Sequence, residues 1–376
     1  MHQAGMATRS HFSLLALRRS DRRASSLLRV LPPEYTVLGI LVPTYVAMDG
    51  VYAHMLHARV LVGLPDALAQ LAFMVLAFPA AALITLRFAN ASIRQKPFRE
   101  AIRISWGEVR LKYLSAARIA DFIMIGTMIA VLMASFTAFK LMIPDIHPIS
   151  WDERISVWTK SLYLGHHAWQ LLQPVVGYPI VTRLLDFCYF ALWFPITWGV
   201  FAWQAWRAPS HERSRYIVTY VLCWVVLGTV LATLFSSAGP QFYGRVVNGP
   251  DPYAGLSRYL DDVSRHGALT TVAVREFLWN AYTRHQPAFG AGIAAMPSMH
   301  VAMAELSAIV GRRTSRALGV ALTSFSIVTL IGSVALGAHY SIDGFFSILF
   351  VHALWRVCGM FFSPKRAMNP SELITL

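Results

Sequence analysis

Eight stretches of mostly apolar residues recur along this chain, each close to the roughly 20 residues that carry an α-helix across about 30 Å of hydrocarbon. Their cores run Thr36 to Leu56, Leu68 to Leu86, Ile119 to Ile143, Val181 to Trp203, Tyr216 to Phe235, Pro297 to Val310, Leu318 to Leu336 and Ile342 to Met360. Within a bilayer every backbone N–H and C=O has to be paired inside the segment, so spans of this length are helices. The expectation is an all-α, polytopic integral membrane protein with about eight transmembrane helices. Composition agrees, with 56% of the 376 residues hydrophobic and only 14% charged, as expected of a membrane protein. The sixth stretch is the shortest and most polar.

A net charge of +14 raises the question of nucleic acid, and the placement of the charge answers it. Six arginines precede Pro32, and the connector after the second span carries Arg87, Arg94, Lys96, Arg99, Arg103, Arg110, Lys112 and Arg118. Further groups stand at Arg207, Arg213 and Arg215, at Arg312, Arg313 and Arg316, and at Arg356, Lys365 and Arg366. With eight spans all of them fall on one side, the positive-inside pattern, which puts both termini in the cytoplasm and the charge against anionic lipid. The basic stretches have no interleaved aromatics or reading module, so no nucleic-acid partner is expected. Phe12 to Leu17 is too short an apolar run for a signal peptide and has no cleavage signature. Cys188, Cys223 and Cys358 fall in or at the end of spans without metal-ligand spacing and read as small apolar residues.

This orientation leaves two substantial connectors on the outer face. One, Pro144 to Pro179, contains a Trp-rich segment of helical period that suits a helix lying in the interface. Its His166 and His167 are either solvated or functional. The other, Ser236 to Ala295, is rich in Gly and Pro at its ends, and long loops gathered on one face commonly serve a site.

Two clusters of chemically able residues reach the membrane boundary on that same face. MPSMHVAM (296 to 303) opens the sixth span with Ser298 and His300, and GAHYSIDGF (337 to 345) joins the seventh and eighth with His339 four residues before Asp343. On a helix that spacing is about one turn, so the two side chains could hydrogen-bond. A carboxylate holding one imidazole nitrogen fixes the tautomer and leaves the other as a nucleophile. His300 would then be free to protonate a leaving oxygen. Separately, each string also fits histidines resting at the headgroup level.

P-S-M-H, a span, a turn, a second span and then H-Y-S-I-D resemble the second and third signature motifs of the type 2 phosphatidic acid phosphatase superfamily. With the upstream S-S-A-G-P-Q-F-Y-G-R (236 to 245), the wording is most similar to the subgroup of fungal inositol phosphorylceramide synthases and their many bacterial relatives. The resemblance implies a six-helix phosphatase-type core in spans three to eight, with the first two spans an addition. The corresponding domains are a basic cytoplasmic tail (1–34), two extra helices with a basic connector (35–118), the catalytic core (119–362) and a cytoplasmic C-terminal tail (363–376). It further implies that His339 attacks phosphorus to give a phosphohistidine, that Asp343 orients it, that His300 protonates the departing alkoxide, and that Ser298 bonds a phosphoryl oxygen. The implied setting is a bacterial inner membrane with the site on the non-cytoplasmic face. A membrane lipid is the implied substrate, with water, an alcohol or a second lipid as acceptor.

The departures from that family are specific. Its first motif, a lysine seven residues before Arg-Pro, is missing: Arg245 precedes Val246, and Ala238 stands at the lysine's place. The third motif's Ser-Arg opening is replaced by Gly332 and Ser333. Phosphoryl transfer needs cationic or N–H partners, so Arg245, with Tyr243 beside it, is the expected substrate contact. No metal or cofactor is expected, because His300, His339 and Asp343 all have other roles, although the three could instead ligate zinc. Charged residues within spans, Asp49, Asp121, Lys140, Asp186 and Glu305, fit a transporter or paired charges that lock helices together. A non-catalytic scaffold is the third reading.

Overall fold

The computed structural model describes residues 32–69, 71–73, 115–207, 209–288 and 290–362. In chain order its main helices are α1 (Pro33–Met55), α2 (Ala116–Ile146), the short α3 (Asp152–Leu162) and α4 (Ala168–Val176), then α5 (Pro179–Trp206) and α6 (His211–Leu234). A second short pair follows, α7 (Ala254–Arg265) and α8 (Thr270–Thr283), and the chain closes with α9 (Met299–Thr314), α10 (Arg316–Ala335) and α11 (Ser341–Phe361). No strand occurs among the described residues. Six of these helices, α1, α2, α5, α6, α10 and α11, are long and apolar enough to cross a membrane. The expected second span, Leu68 to Leu86, lies almost wholly outside the described residues, as do most of both tails and of the basic connector.

Local signals in the sequence set where these helices begin. Serine hydroxyls accept from backbone N–H groups in the first turn of four of them: Ser115 for α2, Ser210 for α6, Ser298 for α9 and Ser315 for α10. A proline opens α1 and another opens α5, at the position where a missing N–H does no harm.

The sixth expected span, Pro297 to Val310, is α9, and its shortness and polarity have a physical reason. Eleven consecutive residues, Val301 to Gly311, are buried, because α10, α11, α5 and α6 surround it. A helix enclosed by protein on every side does not need the apolar exterior that lipid demands. Its Glu305 accepts from Arg312 (2.7 Å), Ser326 (2.9 Å) and His352 (3.0 Å), tying the last three helices together.

Charges inside the bundle are mostly paired, as burial requires. Arg213 of α6 is wholly buried and meets Glu34 of α1 at 3.1 Å and Asp121 of α2 at 2.5 Å. Tyr35 of α1 also donates to Asp121. Asp49 accepts from Ser135 (2.8 Å), a second link between α1 and α2. Asp186 accepts from the N–H groups of Thr270 and Thr271, both at 2.8 Å, and so caps α8 from outside that helix.

Candidate active site

Both histidine motifs are held by one extended loop. Asp152, at the first position of α3, is 1% exposed, and its carboxylate accepts from the N–H of Ala238 (2.7 Å), the N–H of Gly239 (2.7 Å) and the hydroxyl of Tyr340 (2.8 Å). Burial raises the carboxyl's pKa above the usual range while those three bonds pull it back down. Burial, followed by the neighbouring Asp152, pushes the Tyr340 hydroxyl well above the usual phenol range, so it stays protonated and donates. Ser237 reaches the other motif by accepting from the N–H of Ala295 at its carbonyl (2.9 Å) and from that of Met296 at its hydroxyl (3.2 Å). Gly239 is the pivot of this loop. Its φ is +97°, and an added Cβ would lie 2.9 Å from the Ala338 carbonyl oxygen, so a side chain there is both strained and blocked.

His339 and Asp343 do not share a helical turn. Tyr340 caps α11, His339 stands before the cap, and Asp343 is the third residue of the helix, where its Oδ2 accepts from the Tyr340 N–H at 3.0 Å. The nearest partner of His339 Nδ1 is the Ala295 carbonyl oxygen at 2.7 Å, with Asp343 Oδ2 farther off at 3.5 Å. A ring nitrogen that close to a carbonyl oxygen is a donor, because two facing lone pairs would repel. In the neutral ring the hydrogen therefore sits on Nδ1, and Nε2 keeps the lone pair. The two motifs touch where the Ser298 N–H donates to the Asp343 carbonyl at 3.4 Å.

His300, in the first turn of α9, is fixed by aromatic packing. Its ring stacks on Tyr189 (centroids 4.4 Å apart, planes at 16°) and lies 4.4 Å from Trp193, whose indole N–H donates to the His300 carbonyl at 2.9 Å. Both aromatics come from the stretch of α5 where a π-helical segment, Phe187–Leu192, shifts the register, a distortion frequent at functional sites. The ring centroids of His300 and His339 are 6.5 Å apart.

The two histidines line one cavity of about 230 Å³. Lys140 and Gln241 line it with them, and so do the apolar side chains of Met133, Phe136, Trp198 and Trp224. Lys140 and Met133 are seven residues apart on α2, so the slot extends roughly 10 Å along that helix. A second π-helical stretch, Cys223–Leu231 of α6, contributes Trp224 and Gly228 to the lining.

Other residues singled out in the sequence lie elsewhere. Ser298 is fully buried, with its hydroxyl 3.5 Å from the Val301 N–H, where it caps α9. Tyr243 packs in a cluster with Ile155, Tyr253, Met296 and Tyr340 and does not line the cavity. Arg245 pairs with Glu276 at 2.8 Å, stacks over Trp279 and is likewise outside the cavity. Burial raises the Glu276 carboxyl, but its bonds to Arg245 and Arg275 outweigh that and leave it below the usual range. His166 is exposed. His167 is buried against Tyr253, its Nδ1 3.1 Å from that hydroxyl, and burial followed by the Lys160 charge lowers its pKa. Its role is to pack α4 against the loop, neither solvated nor in the cavity.

Sequence reasoning missed Asp152 and the Ala295 carbonyl. The only hint of the first was an acidic residue opening a predicted helix; a backbone acceptor leaves no mark in a sequence.

A family model described as the PAP2 superfamily matches residues 153–356, more than half of the chain. Among curated proteins and solved structures, none matches the chain.

Proposed function

The chain belongs to the PAP2 superfamily, and from that premise we propose that it is a membrane-embedded enzyme that breaks a phosphoester of a lipid through a phosphohistidine on His339. One observation carries the lipid assignment: the cavity shared by His300 and His339 continues into a slot walled by Met133, Phe136, Trp198 and Trp224. A site for a free sugar phosphate has no use for such a slot, whereas an acyl chain fits it.

In the first half-reaction His339 Nε2 attacks phosphorus as the P–O bond to the leaving alcohol breaks. The bonding pair stays on that oxygen, which takes a proton from His300. In the second half an acceptor O–H gives its proton to His300, its oxygen bonds to phosphorus, and the P–N bond breaks with its pair returning to His339. Asp343 steadies the His339 loop and faces Nδ1. The acceptor is water or an alcohol, and the likeness of residues 236–245 to inositol phosphorylceramide synthases favours headgroup transfer. Both steps run without a metal in this reading, since His339 Nδ1 and Asp343 Oδ2 already face hydrogen-bond partners.

The test is to incubate the purified full chain with a panel of phospholipids and lipid phosphates, with and without an alcohol acceptor and with EDTA present, and to identify the products. Long-chain substrates should be turned over at least about tenfold better than glycerol phosphate, one methylene being worth roughly 0.8 kcal/mol when buried, and EDTA should not matter. Equal use of glycerol phosphate sinks the lipid assignment, and loss of activity in EDTA that one divalent ion restores sinks the metal-free one.

The same reading puts the site on the non-cytoplasmic side. Arg207, Arg213, Arg312 and Arg313 lie at the ends of α5, α6 and α9 remote from His300 and His339, as the positive-inside rule asks. Cysteines at Asn248 and Pro209 should react with an impermeant maleimide from opposite faces of intact membranes. Labelling of both from one face removes the assignment.

A further inference from the structure

A phosphoryl group in transfer spreads charge over three equatorial oxygens, and its enzyme meets them with cations or N–H donors held in place. The arginine best placed in the sequence, Arg245, is bound to Glu276 outside the histidine cavity. Many of the nearby amides are committed as well. Those of Ala238 and Gly239 go to Asp152, that of Gln241 to the Gly337 carbonyl, those of Ala295 and Met296 to Ser237, and that of Ser298 to Asp343. These amides supply no formal charge in any case, and a cavity-lining side chain is the place to look for one.

Among the described residues that line it, Lys140 is the one with an amine that can carry positive charge outside the histidines. It stands near the outer end of α2, and no hydrogen bond or ion pair joins it to any described residue. His300 lines the same cavity. Backbone contact holds it there: Gly292, at φ +100°, leaves no room for a Cβ, which would fall 3.1 Å from the Lys140 carbonyl oxygen. The loop leading into the His300 motif is therefore pressed against this lysine. The other charges noted within the spans, Asp49, Asp121, Asp186 and Glu305, all have partners. An ammonium with no partner among the described residues of a largely apolar cavity costs stability, and an anionic ligand removes that cost.

We infer that Lys140 is the phosphate-holding cation of this site, its ammonium binding a non-bridging phosphoryl oxygen while His339 addresses phosphorus and His300 the leaving oxygen. The inference rests on the phosphoester reading above. It moves the phosphate contact from the loop of residues 236 to 245 to the first helix of the core. Lysine suits the place as a compact point charge on a flexible stem.

The experiment compares the full chain in detergent with Lys140→Met, Lys140→Arg, Arg245→Met and His339→Ala. It measures nitrophenyl phosphate turnover, calorimetric binding of inorganic orthovanadate, which mimics pentacoordinate phosphorus, and the thermal midpoint. Lys140→Met should lower kcat/KM by about 100-fold or more and weaken orthovanadate at least about tenfold, with an unchanged or higher midpoint. Lys140→Arg should restore much of the orthovanadate affinity. Orthovanadate binding to Lys140→Met as to wild type overturns the inference. So does a loss of activity that merely follows a lowered midpoint, or a tenfold loss of orthovanadate affinity in Arg245→Met with none in Lys140→Met. Wild-type turnover by His339→Ala would instead overturn the phosphohistidine reading, while orthovanadate binding still reports on Lys140.

Discussion

Alanine in place of His339 should abolish turnover, by on the order of 10,000-fold or more, and should remove any phosphoenzyme that acid quenching traps from the wild type. The expectation follows from geometry. With its Nδ1 hydrogen held by the Ala295 carbonyl at 2.7 Å, the neutral His339 ring has its lone pair on Nε2, and among the described residues no Cys and no imidazole other than His300 lines the cavity with it. His300→Ala should cost roughly 100-fold to 10,000-fold, and less on nitrophenyl phosphate than on a lipid, since an acidic alcohol leaves with little help. A phosphoenzyme still trapped in His339→Ala, or a His300→Ala defect of equal size on both substrates, would falsify these roles.

Asp152→Ala should destabilise the chain by about 3 to 5 kcal/mol, the usual cost of removing one member of a buried charged hydrogen-bond set, and activity should fall with it. Three donors from two motifs converge on this carboxylate, and all three become unpaired at once. Asparagine rescues little, because its NH2 would face a backbone N–H and only one of its two ends accepts. Tyr340→Phe removes a single arm and should cost about 1 kcal/mol. Denaturant titration in detergent measures the series, and a change below about 1 kcal/mol for Asp152→Ala would show that the loop stands without it.

The membrane fold was legible because six of the expected spans announce themselves locally by length and apolar content, several with a serine or proline at the start. The histidines were legible for the same reason, His300 and His339 each standing inside a short recognisable string. What escaped depends on contacts between distant parts of the chain. Asp152 reads as the start of an interfacial helix, and only folding sets it beside Ala238, Gly239 and Tyr340. Lys140 reads as one of five intramembrane charges, and it differs from the rest in what it does not touch. The His339 to Asp343 spacing suggested one helical turn, but Tyr340 caps α11 after the histidine, so the imidazole turns to a backbone carbonyl instead.

Arg213 couples two stretches that the sequence assigns to different parts of the protein. Its guanidinium has no access to solvent, and one of its two carboxylate partners, Glu34, belongs to α1, outside the six-helix core. Taking α1 away would leave the guanidinium one carboxylate, that of Asp121, and would uncover it on the side where Glu34 now stands. The leading helix is therefore a wall of the bundle as well as an addition to it, since it keeps from solvent one face of a guanidinium that belongs to a later span.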